Sequence, residues 1–402
     1  MSALQSIRIV ELAQGVAAPL ATLRMHDLGA KVIKLEEDAG DWLRHAEPQM
    51  PGQAMSAAFF ELNRGKLSVK LSENQDSAAA QLRHLLRDAD VFVTDKTDAQ
   101  LSDLGFAKPE DSLLKLNAKL IFVQITPWGD QGPWKDKPGS ELTAQAMAGY
   151  TRYLSRESLP ACRLGADVAG AGSGIFAAQA ILAALIARRR NHEQGQKISI
   201  SLLNSLLSMK SIHLAAQTNP DHYSGPRVGG ANYPPEKGWM TKDEPIFFAF
   251  GGSVGAQGRP GWVKFIEEAG FNRLLDDKRF DPIGRNSTGY GAKVQELKAE
   301  YEREFSRYSG EELVEMIRKY AGNAATYQSP AASIRHPQTT ALEVVREVHA
   351  KDGQRHEVRA YPARFSKMKL APTGVAPALG EHTQVVMNEF QAPTQSTPSA
   401  PD

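Results

Sequence analysis

Near the start of the chain, Ile7-Arg-Ile-Val-Glu-Leu12 is followed by the turn Gln14-Gly-Val-Ala-Ala-Pro19, a helical pattern over Leu20–Leu28, and Lys31-Val-Ile-Lys-Leu-Glu36. The two apolar runs have the length of buried strands, and Gly29 is a typical residue just after a helix. A strand, a helix and a second strand in this order form a βαβ unit, whose strands are parallel. Residues 7–36 therefore predict a parallel sheet that binds ligands beyond the carboxyl ends of its strands.

The same alternation continues through the first half of the chain. Runs that predict strands recur at Leu67–Leu71, Asp90–Val93, Leu120–Ile125 and Gly195–Ser201, with helical patterns between them. This alternation is typical of a doubly wound, Rossmann-like α/β domain. The turn at Gln14–Pro19 lacks the Gly-x-Gly-x-x-Gly pattern of dinucleotide sites, so a nicotinamide cofactor is not indicated.

The length predicts more than one domain. A single core stops growing at roughly 250–300 residues, whereas this chain has 402. Asn219–Gly238 is dense in Pro, Gly and Asn, as linkers are. We therefore predict the first part of a large domain over residues 1–218, a linker and small α+β domain over 219–345, a return segment over 346–390 that completes the large domain, and a disordered tail over 391–402.

Composition excludes several classes of partner. The 47 basic and 46 acidic side chains nearly balance, which disfavours nucleic acid. The most membrane-like run, Ala171–Ala187, falls short of the ~20 residues of a membrane span and is rich in small residues, so a buried helix is the better interpretation. A single cysteine, Cys162, rules out an internal disulfide, and the first residues lack a signal-peptide core. We expect a cytoplasmic protein.

A candidate site lies in the glycine-rich segment Arg163-Leu-Gly-Ala-Asp-Val-Ala-Gly-Ala-Gly-Ser-Gly174, which runs into an apolar helix. Its glycines predict a turn whose backbone approaches a ligand closely, and the first N–H groups of the helix favour negative charge. Asp167 is the carboxylate of this segment. Glycine-rich turns before helices are also common in α/β proteins where they mark no site, so both interpretations stay open.

Taken in order, several segments resemble the family III CoA-transferases, which include formyl-CoA transferases, carnitine CoA-transferases and the related α-methylacyl-CoA racemases. The resemblance covers nearly the whole chain, and it implies a Rossmann-like large domain, an inserted small domain and an interlocked dimer. Its specificity comes from the order and spacing of Ile7–Gly40, Leu62-Asn-Arg-Gly-Lys66, Leu120–Gly132, Gly195–Asn204 and Leu379-Gly-Glu-His-Thr383.

The resemblance implies a coenzyme A thioester as substrate, no permanently bound cofactor and no metal. In the family, an aspartate carboxylate attacks the thioester to give a mixed anhydride, the released thiolate returns, and a second carboxylic acid collects the CoA. In some members a glycine loop, resembled here by Gly251-Gly-Ser-Val-Gly255, closes over the intermediate. The positions that would bind CoA are Gln14, Val16, Ala17, Lys34, Asn63, Lys66 and Lys96.

The chain departs from the family pattern at the nucleophile. Members read approximately Arg-Val-Gly-Ala-x-x-x-Asp-x-x-x-Gly before the long helix, and a gapless fit puts Gly170 where the aspartate stands. Asp167 lies three residues earlier, as much as ~10 Å along an extended chain. Thr94–Ala99 replaces a segment with an arginine near the CoA phosphates, and Glu37 stands where some members place another arginine.

These departures leave three interpretations. The chain is an active CoA-transferase with Asp167 as a displaced nucleophile, or it is a non-catalytic subunit or pseudoenzyme. A non-catalytic subunit or pseudoenzyme would pair with an aspartate-bearing homologue, so the dimer would be a heterodimer instead of a homodimer. The third is a CoA-thioester racemase or isomerase, which needs an acid/base pair. No histidine stands at the racemase position near Leu120–Gly132.

Overall fold

The computed structural model describes residues 2–153, 160–190, 194–211, 215, 238–250, 259–277, 294–350, 353–370 and 374–389. The chain divides into two compact units, Met1–Ser211 together with Ala341–Asp402, and Ile212–Thr340. Most of the predicted linker at 219–238, the whole of the loop at 251–255 and the predicted tail at 391–402 lie outside the described residues.

The first unit is built on a six-stranded parallel sheet in the order β3-β2-β1-β4-β5-β6. Because β1 pairs with β2 on one side and with β4 on the other, the strand order reverses beside β1. In open α/β sheets, ligands bind beyond the carboxyl ends of the strands at such a reversal. The predicted α/β class with a Rossmann-like parallel sheet is confirmed. The strands are β1 (Arg8–Leu12), β2 (Lys31–Glu36), β3 (Leu67–Lys70), β4 (Val91–Thr94), β5 (Ile121–Thr126) and β6 (Gln196–Ser201).

Helices cover both faces of this sheet. Successive side chains of a strand point to opposite faces, so Ile9 packs with Met25 and Ile181 while Val10 packs with Leu82 on the other side. Burial on both faces explains why the strands are continuous apolar runs. The helices are α1 (Ala17–Asp27), α2 (Ala57–Asn63), α3 (Gln75–Leu86), α4 (Asp98–Asp103), α5 (Pro109–Leu116), α6 (Glu141–Met147), α7 (Tyr150–Tyr153), α8 (Val168–Arg190) and α9 (Leu202–Met209).

Helix α8 is the long apolar helix predicted after the glycine-rich segment. By length and composition alone it is apolar enough to cross a membrane, with a mean hydropathy of 1.7 over its most apolar window. Half of that window is buried inside the protein, where Ala177 and Ile181 pack in the same cluster as Ala21 and Met25 of α1. This burial is that of a core helix.

Three of the four glycines of the glycine-rich segment do not form the predicted turn. Helix α8 begins at Val168, so Gly170, Gly172 and Gly174 lie in its first two turns and are buried. A Cβ atom on Gly174 would stand 2.7 Å from the Ala17 carbonyl oxygen, and one on Gly170 would stand 3.0 Å from Val16 Cβ. The predicted turn is therefore wrong beyond residue 167, where Gly170 and Gly174 instead let α8 pack closely against the start of α1.

The rest of the first unit closes the edge of the sheet next to β3. A hairpin of β9 (Val345–His349) and β10 (Arg355–Arg359) is antiparallel. Helix α15 (Thr383–Glu389) begins beside β3, where the Thr383 hydroxyl accepts a 2.9 Å hydrogen bond from the Lys70 N–H. The residues after 340 therefore return to the parallel sheet.

The second unit has its own core. Strands β7 (Ile246–Ala249) and β8 (Asn323–Thr326) form an antiparallel pair. Buried aromatic rings fill the space between this pair and the helices, and Trp262 Nε1 donates a 2.8 Å hydrogen bond to the Tyr301 hydroxyl. The helices are α10 (Arg259–Glu268), α11 (Val294–Phe305), α12 (Gly310–Lys319) and α13 (Pro330–Arg335), with α14 (Pro337–Ala341) at the boundary with the first unit.

Candidate active site at the carboxyl edge of the sheet

The turn between β1 and α1, residues 13–16, is fixed by charged side chains. The Gly15 N–H donates to both carboxylate oxygens of Asp41 at 3.0 and 3.2 Å, and the Gln14 N–H donates to Asp95 Oδ2 at 2.9 Å. Lys34 Nζ donates to the Ala13 carbonyl at 2.8 Å. Gly15 has φ of +75°, a conformation that glycine adopts without strain. The turn is thus a preorganised backbone element.

Trp42 lies on this turn with more than half of its side chain exposed. A Cβ on Gly15 would stand 2.9 Å from Trp42 Cζ2, so glycine is also required here for space. The Trp42 N–H donates to Gln14 Oε1 at 3.3 Å, and Asp41 caps the 3-10 helix Trp42–His45 by accepting from the Leu43 N–H. Asp41 therefore holds the turn and the tryptophan segment together.

A buried ion cluster lies directly beneath the turn. Glu11 on β1 accepts from Lys34 Nζ at 2.7 Å and from Lys66 Nζ at 2.8 Å, and none of these three side chains has exposed surface. Lys34 also pairs with Asp41 at 3.0 Å. Lys66 donates further to Asn63 Oδ1 at 2.9 Å and to a main-chain carbonyl in α1. Buried charges persist when they are paired in this way.

The cluster shifts the ionisation of its members. Burial alone would raise the pKa of Glu11, but the ammonium groups of Lys34 and Lys66 outweigh it and lower that pKa to about 2. Burial opposes the charge of Lys34, yet Glu11 and Asp41 raise its pKa above the ordinary value. For Lys66, burial dominates over the attraction of Glu11 and lowers the pKa to about 8. Burial likewise raises the pKa of the Asp95 carboxyl.

The cleft at the strand reversal is lined by Gln14, Glu36, Glu37, Asp41 and Lys96, together with Leu12, Ala13, Leu35 and Gly40. Lys96 Nζ donates to Glu37 Oε1 at 2.6 Å. The cleft has a cavity volume of about 10 Å³, far below the ~300–1,000 Å³ of typical small-molecule sites. It is the narrow end of the crevice that the strand order predicts.

The first N–H groups of α8 bind the side chain of Glu141. Its Oε1 accepts from the Ala169 N–H and its Oε2 from the Gly170 N–H, both at 2.8 Å. Gln145 Nε2 donates to the same carboxylate at 2.8 Å. Free N–H groups at a helix start attract anions. Here an internal carboxylate, carried by the first residue of α6, satisfies them.

Glu141 also lies where a side chain at position 170 would project. A Cβ built on Gly170 would stand 3.5 Å from Glu141 Oε2, as well as 3.0 Å from Val16 Cβ. Val16 is the last residue of the turn, so the start of α8 and the turn meet at this point. Asp167, which precedes α8, is exposed, and its carbonyl accepts from the Ala171 N–H at 2.8 Å.

The predicted site residues lie in four places. Gln14, Val16 and Ala17 are half-buried on the turn and at the start of α1, next to α8. Lys34, Asn63 and Lys66 lie together beneath the turn with no exposed ammonium group, so any contribution from the two lysines passes through the turn that they support. Lys96 lines the cleft, and Asp167 is exposed just before α8, outside the cluster. Whether these residues bind CoA or react stays a prediction.

Sequence reasoning missed Glu141, Asp41 and Asp95. Each acts on backbone N–H groups that are distant in sequence, and no local pattern connects Glu141 with Gly170, 29 positions away. The sequence gives only a weak signal for Glu141. The Ser140 side chain caps α6, and an acidic residue directly after such a cap is ordinary at the start of a helix. Cys162 is exposed.

Comparison with known proteins gives one family. Residues 4–383 match the family model described as CoA-transferase family III. Among characterised relatives, the chain is 30% identical over 399 residues to succinate–glutarate CoA-transferase of Agrobacterium fabrum, covering 96% of each chain. It is also 30% identical over 291 residues to formyl-CoA:oxalate CoA-transferase of Streptomyces avermitilis, covering 68% of this chain and 69% of that protein.

Solved structures agree with the sequence matches. A CAIB/BAIF family protein from Brucella suis superposes with a TM-score of 0.83 at 26% identity, covering 97% of this chain and all of that one. An aspartate-to-alanine mutant of Rv3272 from Mycobacterium tuberculosis superposes with a TM-score of 0.75 at 27% identity, covering 96% of this chain and 98% of that one.

Proposed function

This chain belongs to CoA-transferase family III, and on that premise we propose that it serves in the transfer of CoA between an acyl-CoA donor and a carboxylic acid acceptor. We propose further that it is the non-catalytic subunit, interlocked with an aspartate-bearing homologue in the cytoplasm. The observation that carries this proposal is the start of α8. Position 170 has no side chain, and the space in front of it holds a carboxylate that is already bound.

The chemistry explains why this arrangement supports a non-catalytic role. A carboxylate that attacks a thioester must approach the carbonyl carbon with a free lone pair. Glu141 accepts three hydrogen bonds at 2.8 Å, two of them from the main chain of α8. Such bonds stabilise the charge and lower its reactivity, because they favour the ionised ground state. Glu141 is thus suited to capping α8 and poorly suited to attack.

The scaffold supports a retained family role. The turn at residues 13–16 is held by Asp41, Asp95 and Lys34, and it lies at the strand reversal where ligands of α/β sheets bind. A non-catalytic subunit needs this turn and the sheet beneath it to keep the dimer surface and the shape of the shared site. The buried cluster of Glu11, Lys34 and Lys66 maintains that arrangement.

The test is an exchange assay on the chain alone and co-expressed with a homologue that carries the family aspartate. The substrates are succinyl-CoA with glutarate or oxalate, acids that appear in the names of the relatives. We expect no exchange by the chain alone and exchange by the pair. Replacing the homologue's aspartate by alanine should abolish the activity. Robust exchange by the chain as a pure homodimer would overturn the non-catalytic role.

The alternative is independent catalysis by Asp167, favoured by its exposed carboxylate next to the start of α8. It predicts that the chain alone forms an acyl or CoA adduct that hydroxylamine cleaves, and that Asp167→Ala abolishes this adduct. An inactive pseudoenzyme would give no exchange with any homologue. A racemase or isomerase would exchange the α-hydrogen of an acyl-CoA for deuterium without transferring CoA.

A further inference from the structure

Lys96 is the cation at the mouth of the cleft, and it is already paired. Its Nζ lies 2.6 Å from Glu37 Oε1. The Lys96 side chain is 16% exposed, whereas the Glu37 side chain is 56% exposed. Among the residues that line this cleft in the described part of the chain, Lys96 is the only lysine or arginine. The lysine that lines this cleft therefore has an internal counter-ion.

The other basic groups beneath the cleft are not available to a ligand. Lys34 and Lys66 have no exposed surface and share Glu11, and Arg44 is nearly buried against Glu36 at 2.7 Å. Further carboxylates surround Lys96. Asp41 lines the same cleft, and Asp95 interacts electrostatically with both Lys96 and Asp41. A phosphate that approached Lys96 would meet these carboxylates as well as Glu37.

An exposed ion pair contributes little free energy, so the strength of the pair between Lys96 and Glu37 does not by itself prevent a ligand from binding. Glu37 acts on an anionic ligand through the repulsion between their negative charges. A dianionic diphosphate that reaches Lys96 at this cleft must displace Glu37 and remain within a few ångströms of a second negative group. Repulsion at that distance changes affinity by about tenfold or more.

We propose that Glu37 is an internal counter-ion that excludes the diphosphate of CoA from Lys96, so that this chain by itself is closed to CoA. This inference rests on the proposed function, because it takes the cleft at the strand reversal as the CoA site. It assigns the role of carrying CoA in the assembled transferase to the homologous subunit. Glu37 is therefore a specificity-determining residue, because its negative charge disfavours binding of the diphosphate.

The experiment measures binding of ADP and of CoA to the purified full chain by calorimetry. ADP supplies the diphosphate without the thiol, so it reports on Lys96 whether or not the chain takes part in CoA transfer. The variants are Glu37→Gln, the double variant Glu37→Gln with Lys96→Met, and Asp38→Asn. Asp38 is the matched control, because it is adjacent, 61% exposed and paired with Lys70, away from the cleft lining.

We expect Glu37→Gln to bind both ADP and CoA ~10-fold more tightly than the unmodified chain at low salt, and the gain to shrink as salt screens the charges. Asp38→Asn should stay within about twofold of the unmodified chain. Adding Lys96→Met should remove the gain. Equal affinities for Glu37→Gln and Asp38→Asn would overturn the proposal, as would a gain that survives Lys96→Met or tight CoA binding by the unmodified chain.

The binding and exchange experiments together distinguish a failure of this inference from a failure of the proposed function. If Glu37→Gln gains ADP affinity while no homologue supports CoA exchange, the counter-ion role stands and the transferase role does not. If exchange occurs with a homologue while Glu37→Gln gains nothing, the transferase role stands and the counter-ion role does not.

Discussion

Glu141 Oε2 accepts a 2.8 Å hydrogen bond from the N–H of Gly170, although the two residues are 29 positions apart. The carboxylate lies where a side chain at position 170 would project. The N–H groups at the start of α8 are therefore already bound by a carboxylate of the same chain.

Restoring an aspartate at the family position should not restore a nucleophile. In Gly170→Asp, the new Cβ would stand 3.0 Å from Val16 Cβ and 3.5 Å from Glu141 Oε2. We expect the free energy of unfolding to fall by ~1–3 kcal/mol through crowding and like-charge repulsion. Gly170→Ala is the steric control, and adding Glu141→Gln should recover part of the loss. An acyl adduct on the single variant, seen by mass spectrometry, would contradict this prediction.

Removing the internal cap should loosen the first turn of α8. Glu141→Ala leaves the N–H groups of Ala169 and Gly170 without their acceptor, and we expect a loss of ~1–2 kcal/mol in unfolding free energy. Hydrogen exchange of these two amides should accelerate. Glu110→Ala, which removes an exposed acid from the first turn of α5, is the matched control and should leave α8 unchanged. Equal protection of the Ala169 and Gly170 amides in both variants would show that Glu141 does not cap α8.

Acid should destabilise the first unit through Glu11. Lys34 and Lys66 outweigh the opposing effect of burial and lower its pKa from an ordinary 4.5 to about 2. Because the folded pKa is the lower one, this stabilisation is complete above pH 4.5 and is lost as the pH falls towards 2. The loss should be about 3 kcal/mol. Hydrogen exchange of β1 amides between pH 5 and 2 measures it.

The control for the acid prediction is Glu389→Gln, which removes an exposed carboxylate paired with Lys31 at the protein surface. This variant should retain the pH dependence of the unmodified chain. A stability of β1 that does not change between pH 4.5 and 2 would mean that Glu11 keeps an ordinary pKa.

Asp41 should be the residue on which the turn depends most. Asp41→Ala removes the acceptor of the Gly15 N–H and one partner of the buried Lys34. We expect a loss of ~3–5 kcal/mol, because one ammonium charge loses part of its compensation in the interior. Peptides that contain residues 13–16 should exchange faster. The neighbouring Asp38→Ala should cost less than ~1 kcal/mol, since its ion pair with Lys70 is exposed.

Much of the fold follows from local sequence. Buried strands are continuous apolar runs, and the alternation of strands with helical patterns predicts the parallel sheet that is observed. The turn after β1 was also predictable, although α1 begins at Ala17, earlier than expected, because proline is well tolerated in a first helical turn. The glycine-rich segment was misleading. Glycines that serve close helix packing and glycines that serve a ligand turn look alike in sequence.

The sequence by itself determined the architecture, the family and the absence of a side chain at position 170, because these depend on residue type and local periodicity. Tertiary structure alone decided that Lys34 and Lys66 share Glu11, that Glu37 pairs with Lys96, and that Glu141 binds the start of α8. The physical reason is that burial and pairing depend on which strands and loops become neighbours. In this sheet β1 lies between β2 and β4, and that order brings together charges from distant parts of the chain.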